Sequence, residues 1–365
     1  MPNLLLVAAG GGGDVIGCVM VAEALGLGPE DAVIATVAWE RLLVDPVPGP
    51  RAVDDFDGLV RRGDTYEILP TTRAKLPHGS LLPDLRSALG FPLFLLDPRR
   101  GVLGLVDQLH ALLNLPDAGT DTDLWLLDVG GDVLATGSEP GLSSPLCDAL
   151  TLAATARVDA DARVLIAGPG LDGELTPDEV AARLADTSAR LLLALPKPSE
   201  RVSKVLEWHP TEASALLAAS AMGIRGKVEI RDAGSIIELD EHSAEVWATS
   251  AQEAIKSSLA TTTIDTASLQ EADHAVRAIV STELEVENRK AARIGAISSV
   301  SQSVDDDALH QVSLLEARAS RQGVDFTTFR RLAEHTHHTA HRQQLRAALL
   351  AKHPDRLTGP LWRLR

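Results

Sequence analysis

The sequence predicts an α/β fold: a Rossmann-like, mostly parallel sheet with helices on both faces and a site at the C-terminal edge of the strands. Three observations carry this reading. A unit of apolar strand, glycine- or acid-rich loop and helix recurs at least four times. Aromatic residues make up only 3% of the chain, so the core must be built from Leu, Val, Ile and Ala. Such a core suits helices stacked on a parallel sheet better than an aromatic-rich sandwich. Finally, the glycine and aspartate clusters fall just after the apolar runs, the edge where open α/β sheets bind ligands.

Taken in order, residues 3–8 form a short continuous apolar run, as expected of a strand buried on both faces. A helix follows over 15–25 and a second strand over 32–37. The segment "DPVPGPR" holds three prolines and a glycine and reads as an irregular ordered loop. A short strand is expected over 66–69, loop over 71–86, another apolar segment over 91–96 and a helix over 101–113. Next come a strand over 124–127, a helix over 145–155, a strand over 163–167 and a helix ending near 184. Further on, residues 211–222 read as helix, and 227–230 and 236–239 as strands around "RDAG". The stretch 284–314 is harder to read, with a helix start at 305–307. The expected organisation is one α/β domain over 1–334, with a soft internal boundary near 195, and a C-terminal helical tail over 335–365 ending in the peripheral "DRLTGPLWRLR".

The 365 residues carry a formal net charge of −17. That charge repels phosphate backbones and anionic lipid, so nucleic acid and membrane surfaces are not expected partners. The expected partner is a small-molecule ligand, with a homo-oligomer left open. Residues 1–10 lack the basic region and cleavage site of a secretory signal, and no apolar run reaches spanning length, so a cytoplasmic protein is expected. Cys18 and Cys147 lie in apolar contexts and read as buried thiols.

The run "VAAGGGGDVIG" places Gly11, Gly12, Gly13 and Asp14 between the first strand and helix. Bare backbone N–H groups at a helix start can approach an anion. Asp14 beside them disfavours a phosphate and suits a ribose hydroxyl, an ammonium or a metal; its structural role would be that of helix N-cap. In "DVGGDVLATGSEPGLSSPLCDAL", Asp128 and Asp132 flank Gly130 and Gly131, with Glu139 and Asp148 beyond. Two carboxylates around a glycine turn can share a metal or split their pKa values as an acid/base pair. "GPGLDGELTPDEV" repeats the theme with Gly168, Gly170, Asp172 and Glu174, while Thr176 to Glu179 within it is a plain helix start. In "EWHPTEASALLAAS", His209 sits on a proline-stiffened turn and is a candidate proton carrier, with Glu212 close by. Arg41 and Arg51, flanking the proline-rich loop, are candidates for holding a carboxylate or phosphate. The histidines at 335, 337, 338 and 341 have helical spacing for a transition metal but lack an accompanying acid.

The stretches "GGGGDVIG", "AWERLLVDPVPGPR", "DVGGDVLATGSEPGLSSPLCDAL", "WHPTEASALLAAS", "RGKVEIRDAG" and "GVDFTTFRRLAE" together resemble the DUF1152 family of bacteria and archaea. The resemblance runs from residue 3 to about 334. It implies a Rossmann-like fold and no particular reaction.

Two readings follow. In the first, the protein is a small-molecule enzyme, a hydrolase, lyase or group transferase acting on a polar and amine-bearing metabolite. Asp128, Asp132 and His209 would be catalytic, and Gly11, Gly12, Gly13, Asp14, Gly130, Gly131, Gly168, Gly170 and Asp172 would bind ligand or cofactor. The cofactor is unknown: a divalent metal is compatible with the acids, and NAD or FAD fits less well because the ribose-binding acid would have to be Glu40, out of register. In the second reading the same loops serve a non-catalytic nucleotide or metabolite sensor.

Overall fold

The computed structural model describes residues 3–115, 122–231, 234–296 and 306–365. The main sheet has nine strands: β1 (Leu4–Ala8), β2 (Ala32–Val37), β3 (Val60–Arg62), β4 (Thr65–Ile68), β5 (Leu93–Leu96), β6 (Asp123–Val129), β7 (Arg163–Ala167), β8 (Arg190–Ala194) and β9 (Glu245–Ser250). Their order across the sheet is β8-β9-β7-β6-β1-β2-β5-β4-β3. The central five, β7-β6-β1-β2-β5, are mutually parallel, and the outer strands add to them antiparallel.

This order sets the position of the site. From β1 the chain moves outward through β2 to β5, then crosses back and lays β6 on the other side of β1. The loops leaving β1 and β6 therefore diverge to opposite faces, which makes this edge the topological switch point of a doubly wound sheet.

Among the helices that cover the sheet are α1 (Asp14–Ala24), α2 (Leu82–Leu89), α3 (Gly101–Leu113), α4 (Pro145–Val158), α5 (Pro177–Asp186), α6 (Glu200–Val205) and α7 (Ala213–Ala221). Alternate residues of β1 serve two cores. Leu4, Leu6 and Ala8 pack with α1, α2, α6 and α7, whereas Leu5, Val7 and Ala9 pack with α3, α4 and α5. Burial on both faces is why the parallel strands read as unbroken apolar runs. Helix α5 starts on the reciprocal cap its sequence announces: Thr176 N–H donates to Glu179 Oε2 at 2.7 Å, and Glu179 N–H to Thr176 Oγ1 at 3.3 Å.

A second sheet lies beyond α7. Its strands run in the order Ser235–Leu239, Gly226–Ile230, Phe326–Thr328, Leu361–Arg363, Leu357–Thr358. It corrects the reading of the chain end. The segment expected to be a peripheral tail supplies Leu361–Arg363, which pairs with Phe326–Thr328, and Trp362 is fully buried. Pairing between segments so far apart leaves no local trace in the sequence. The histidine run is likewise not one helical face: helix Phe329–His335 stops there, and His337 takes a left-handed φ of 59°. Within 71–86, α2 begins at Leu82, with Pro83 in its first turn and Gly90 (φ 81°) at its end. Helix Asp306–Arg321 matches the anticipated start, except that Asp305 lies outside the described residues. Among the described residues, no helix is long and apolar enough to cross a membrane. Cys18 and Cys147 are both buried free thiols.

Candidate functional site

The glycine loop after β1 closes against its own aspartate. Gly10 N–H donates to Asp14 Oδ2 at 2.9 Å, so Asp14 folds back over the loop. The N-cap of α1 is Gly13, not Asp14. Gly11 has φ 105°, and a β-carbon there would meet the Trp39 carbonyl at 3.0 Å, so this turn requires glycine. Gly17 serves packing: a β-carbon would sit 2.5 Å from Val129 Cγ2, and its absence lets α1 lie close on β6. The loop donor at Gly10 is held by Asp14, and Glu40 accepts from the Leu81 N–H at 2.8 Å.

Across the switch point, Asp128 is the last residue but one of β6. Its Oδ2 accepts from the Gly131 N–H at 2.7 Å and the Val133 N–H at 3.4 Å, which locks the glycine turn and carries Asp132 round to the same edge. Gly130, at φ 133°, lies against Asp172: a β-carbon would come within 2.3 Å of Asp172 Cγ. Gly170 N–H donates to the Gly130 carbonyl at 2.6 Å, and so the loops after β6 and β7 are stitched together. Asp148 enters from the first turn of α4. Glu283 caps that helix, accepting from the Leu146 and Cys147 N–H groups at 2.7 Å each.

Six carboxylates thus converge. Oxygens of Asp14, Asp128 and Asp148 lie within 4.8 Å of one another, and so do oxygens of Asp132, Asp172 and Glu174. Asp128 is 1% exposed, Asp148 3% and Asp172 9%. Asp148 Oδ1 and both oxygens of Asp172 have no hydrogen-bond partner. The Glu174 N–H near Asp172 moderates its charge without reaching bonding geometry.

Burial dominates the electrostatics here. It pushes Asp14 and Asp172 up to about 7, and raises Asp128, Asp132 and Asp148 well above the ordinary carboxylate range, with the neighbouring acids adding repulsion. Glu174 goes the other way. Burial opposes its charge, but the Arg231 and Arg41 guanidiniums and the hydrogen bonds of Ser144 and Ser143 hold it at about 2. Arg231 Nη2 lies 3.0 Å from Glu174 Oε1, and Arg231 itself takes a left-handed φ of 60°.

Several residues singled out from sequence serve other ends. Glu139 braces its own loop, accepting from the Thr136 and Gly137 N–H groups. Arg51 pairs with buried Asp45 at 3.0 Å and caps the carbonyls of the proline-rich loop. Arg41 stays at the site's rim, donating to Ser144 Oγ at 3.3 Å. The turn carrying His209 touches the glycine loop through its neighbours: Ser214 Oγ donates to the Gly13 carbonyl at 2.9 Å, and Thr211 faces Gly13. The His209 ring is not part of the carboxylate groups. Its Nδ1 accepts from the Thr211 N–H at 3.2 Å, and burial, with the Arg342 charge, drives its pKa down to about 3. With no carboxylate offsetting the burial, the ring is placed against the proton-carrier role that its turn suggested. Sequence reasoning missed Glu283 and Arg231, which reach the site from the hard-to-read helix and from the end of a second-sheet strand.

A family model described as "Protein of unknown function (DUF1152)" matches residues 5–291. No curated protein and no solved structure matches the chain. All six carboxylates and Glu283 fall inside the matched span, whereas the last three strands of the second sheet lie beyond it. With most of its length inside that match, the chain belongs to the DUF1152 family.

Proposed function

We propose that the protein is a non-redox enzyme, a hydrolase, lyase or group transferase, acting on a small polar metabolite at the switch point. One observation carries this reading: the fold gathers six carboxylates between β1, β6 and β7 and leaves oxygens of Asp148 and Asp172 without partners. A structural cluster would be neutralised by bonds within the protein. Here the acids are held in different protonation states at neutral pH, with Glu174 ionised and Asp14 and Asp172 near 7. That split is what acid/base chemistry needs. In a hydrolytic step an ionised carboxylate takes the proton of a water as its oxygen bonds to the electrophile. A protonated neighbour gives its proton to the leaving group as the old bond breaks. Asp128 is fixed for such work by the two backbone N–H groups that orient it. His209, neutral and outside the cluster, is left to hold its turn. The way in is at Gly10, which is exposed, and at half-buried Gly13 and Asp14. Two hollows on the surface of the described residues, one beside Arg201 and one beside Tyr66, contain none of these acids.

The test is a turnover screen over phosphoesters, amides and other C–N and C–O bonded metabolites, with the native protein and Asp128→Asn. A substrate turned over by the native protein and slowed about 100-fold or more in a folded Asp128→Asn supports the proposal. A metabolite that binds tightly, depends on Asp128 and stays chemically unchanged makes the protein a sensor instead.

A further inference from the structure

We propose that the switch point holds two divalent cations, one between Asp14, Asp128 and Asp148 and one between Asp132, Asp172 and Glu174. The assignment rests on reading these acids as the reacting site, and it adds what neutralises them there; with the cations bound, the ligating carboxylates are ionised, and the raised pKa values belong to the ion-free protein. Each set brings three carboxylate oxygens within 4.8 Å of one another, close enough to share one ion. Each set also contains a side chain at least nine-tenths buried with an oxygen lacking any partner, Asp148 Oδ1 in the first and both Asp172 oxygens in the second. A buried carboxylate without partners is costly, and an ion coordinated by its free oxygen removes that cost.

The donor set selects the ion. All six ligands are oxygens, with no histidine or cysteine among them, which favours hard cations such as Mg²⁺, Mn²⁺ or Ca²⁺ over zinc or copper. Cys147 lies next to Asp148 in sequence, but its Sγ donates to the Ala9 carbonyl at 3.2 Å and its thiol is pushed above its ordinary range by burial. The two positions differ in strength. Arg231 already lends a positive charge to Glu174, so the second position attracts a cation less than the first. Filling should therefore come in two steps, the Asp148 side first. The Asp128–Asp132 turn joins the two positions, since Asp128 serves one and Asp132 the other. Paired cations of this kind clamp an oxyanion between them, so the substrate class follows: a molecule whose reacting group is a phosphoryl or carboxyl oxyanion. This also explains how a chain of net charge −17 can receive an anionic substrate.

The experiment is a Mn²⁺ titration of the chelator-treated full-length protein without substrate, followed by electron paramagnetic resonance and calorimetry. The native protein should take up two Mn²⁺ in two steps, and the second should broaden the signal of the first by spin coupling. Asp148→Asn should weaken the first step at least ~10-fold and Asp172→Asn the second, since even residues that only orient metal ligands cost about that much. Mg²⁺ should compete for both. Uptake of one ion, weakened equally by both variants, overturns the two-cation assignment, as does the absence of binding below millimolar Mn²⁺. Because the readout needs no turnover, cation binding without any detectable reaction would instead count against the enzyme reading and leave the two positions standing.

Discussion

The switch point and the second sheet both bury acidic side chains, and they treat them oppositely. Around the second sheet the buried acids Glu229 and Glu212 have their cations. Glu229, 1% exposed, accepts from Arg331 Nε at 2.9 Å and from Arg318 through the same oxygen. Its other oxygen makes no hydrogen bond, but two guanidiniums stand against one carboxylate. Glu212 takes the Thr328 hydroxyl at 2.5 Å and faces Arg330 at 3.6 Å; the half-buried Glu316 pairs with Arg356 at 2.6 Å, and the half-buried Asp325 with Arg365 at 2.5 Å. At the switch point six carboxylates converge, and Arg231 stands against Glu174 and Asp172 alone among them, with Arg41 at the rim. The chain evidently has arginines to place against buried acids and places few of them here. The difference separates two uses of a buried acid: one ties strands and helices together, the other stays available for something from outside.

The comparison breaks most sharply on the side of the second sheet. Arg331→Ala leaves Glu229 buried with Arg318 alone. Removing one partner of a buried pair costs about 3–5 kcal/mol, and the surviving Arg318 puts the expected loss near the lower end, about 3 kcal/mol by urea unfolding. A loss under about 1 kcal/mol would mean that buried Glu229 does not depend on Arg331, and the contrast would fail.

The opposite treatment at the switch point has a pH signature. Asp14, Glu40, Asp172 and Glu283 are all raised to about 7, first of all by burial. Between the ordinary carboxylate range and pH 7 the native state holds protons that the unfolded chain has released, so stability falls as pH rises through that window. Glu174, depressed to about 2, runs the other way and loses its contribution only as pH drops below its ordinary value of 4.5. The chelated protein should therefore be most stable near pH 5 and lose a few kcal/mol by pH 8. Asp172→Asn should flatten part of that slope, gaining about 1–2 kcal/mol over the native protein at pH 8 and almost nothing at pH 5. Thermal denaturation across that range checks both. Stability that climbs from pH 5 to pH 8 in the chelated protein would show that the acids are neutralised within the chain after all.

How far the sequence foretold this contrast depends on whether the relevant contact is local. The parallel strands were legible because burial on both faces leaves unbroken apolar runs such as residues 3–8. The three acid-bearing loops were legible because glycines and aspartates at strand ends are local signals, and the strand order then brings Asp14, Asp128 and Asp172 together. Asp148 was visible as an extra acid, but its lack of a partner was not. Glu283 and Arg231 were missed because each arrives from a distant segment, one from a helix with no clear periodicity and one from a strand of the other sheet. The outer strands hid for a related reason: β8 is largely exposed and carries no alternation. Leu361–Arg363 finds its partner some thirty residues earlier, in Phe326–Thr328.

The smallest expected effect concerns His209, which sits between the two regions. Its Nδ1 accepts from the Thr211 N–H, so the proton of the neutral ring is on Nε2, a buried atom with no partner. Trp208 packs against the ring edge-on, with centroids 5.7 Å apart. A residue with a pKa of about 3 and no carboxylate in contact neither carries protons near neutrality nor offers charge to a cation. Its contribution is to stiffen the turn from which Thr211 and Ser214 reach Gly13. His209→Gln should accordingly leave Mn²⁺ affinity within about twofold of the native protein and cost about 1 kcal/mol of stability, the scale of one exchanged hydrogen bond. The same titration on Asp148→Asn supplies the contrast. If His209→Gln instead weakens the cation as much as Asp148→Asn does, and removes a step from the pH profile of binding, then the imidazole reaches the carboxylates in the working protein. The boundary drawn here between the site and its support would have to move outward to include the Trp208–Pro210 turn.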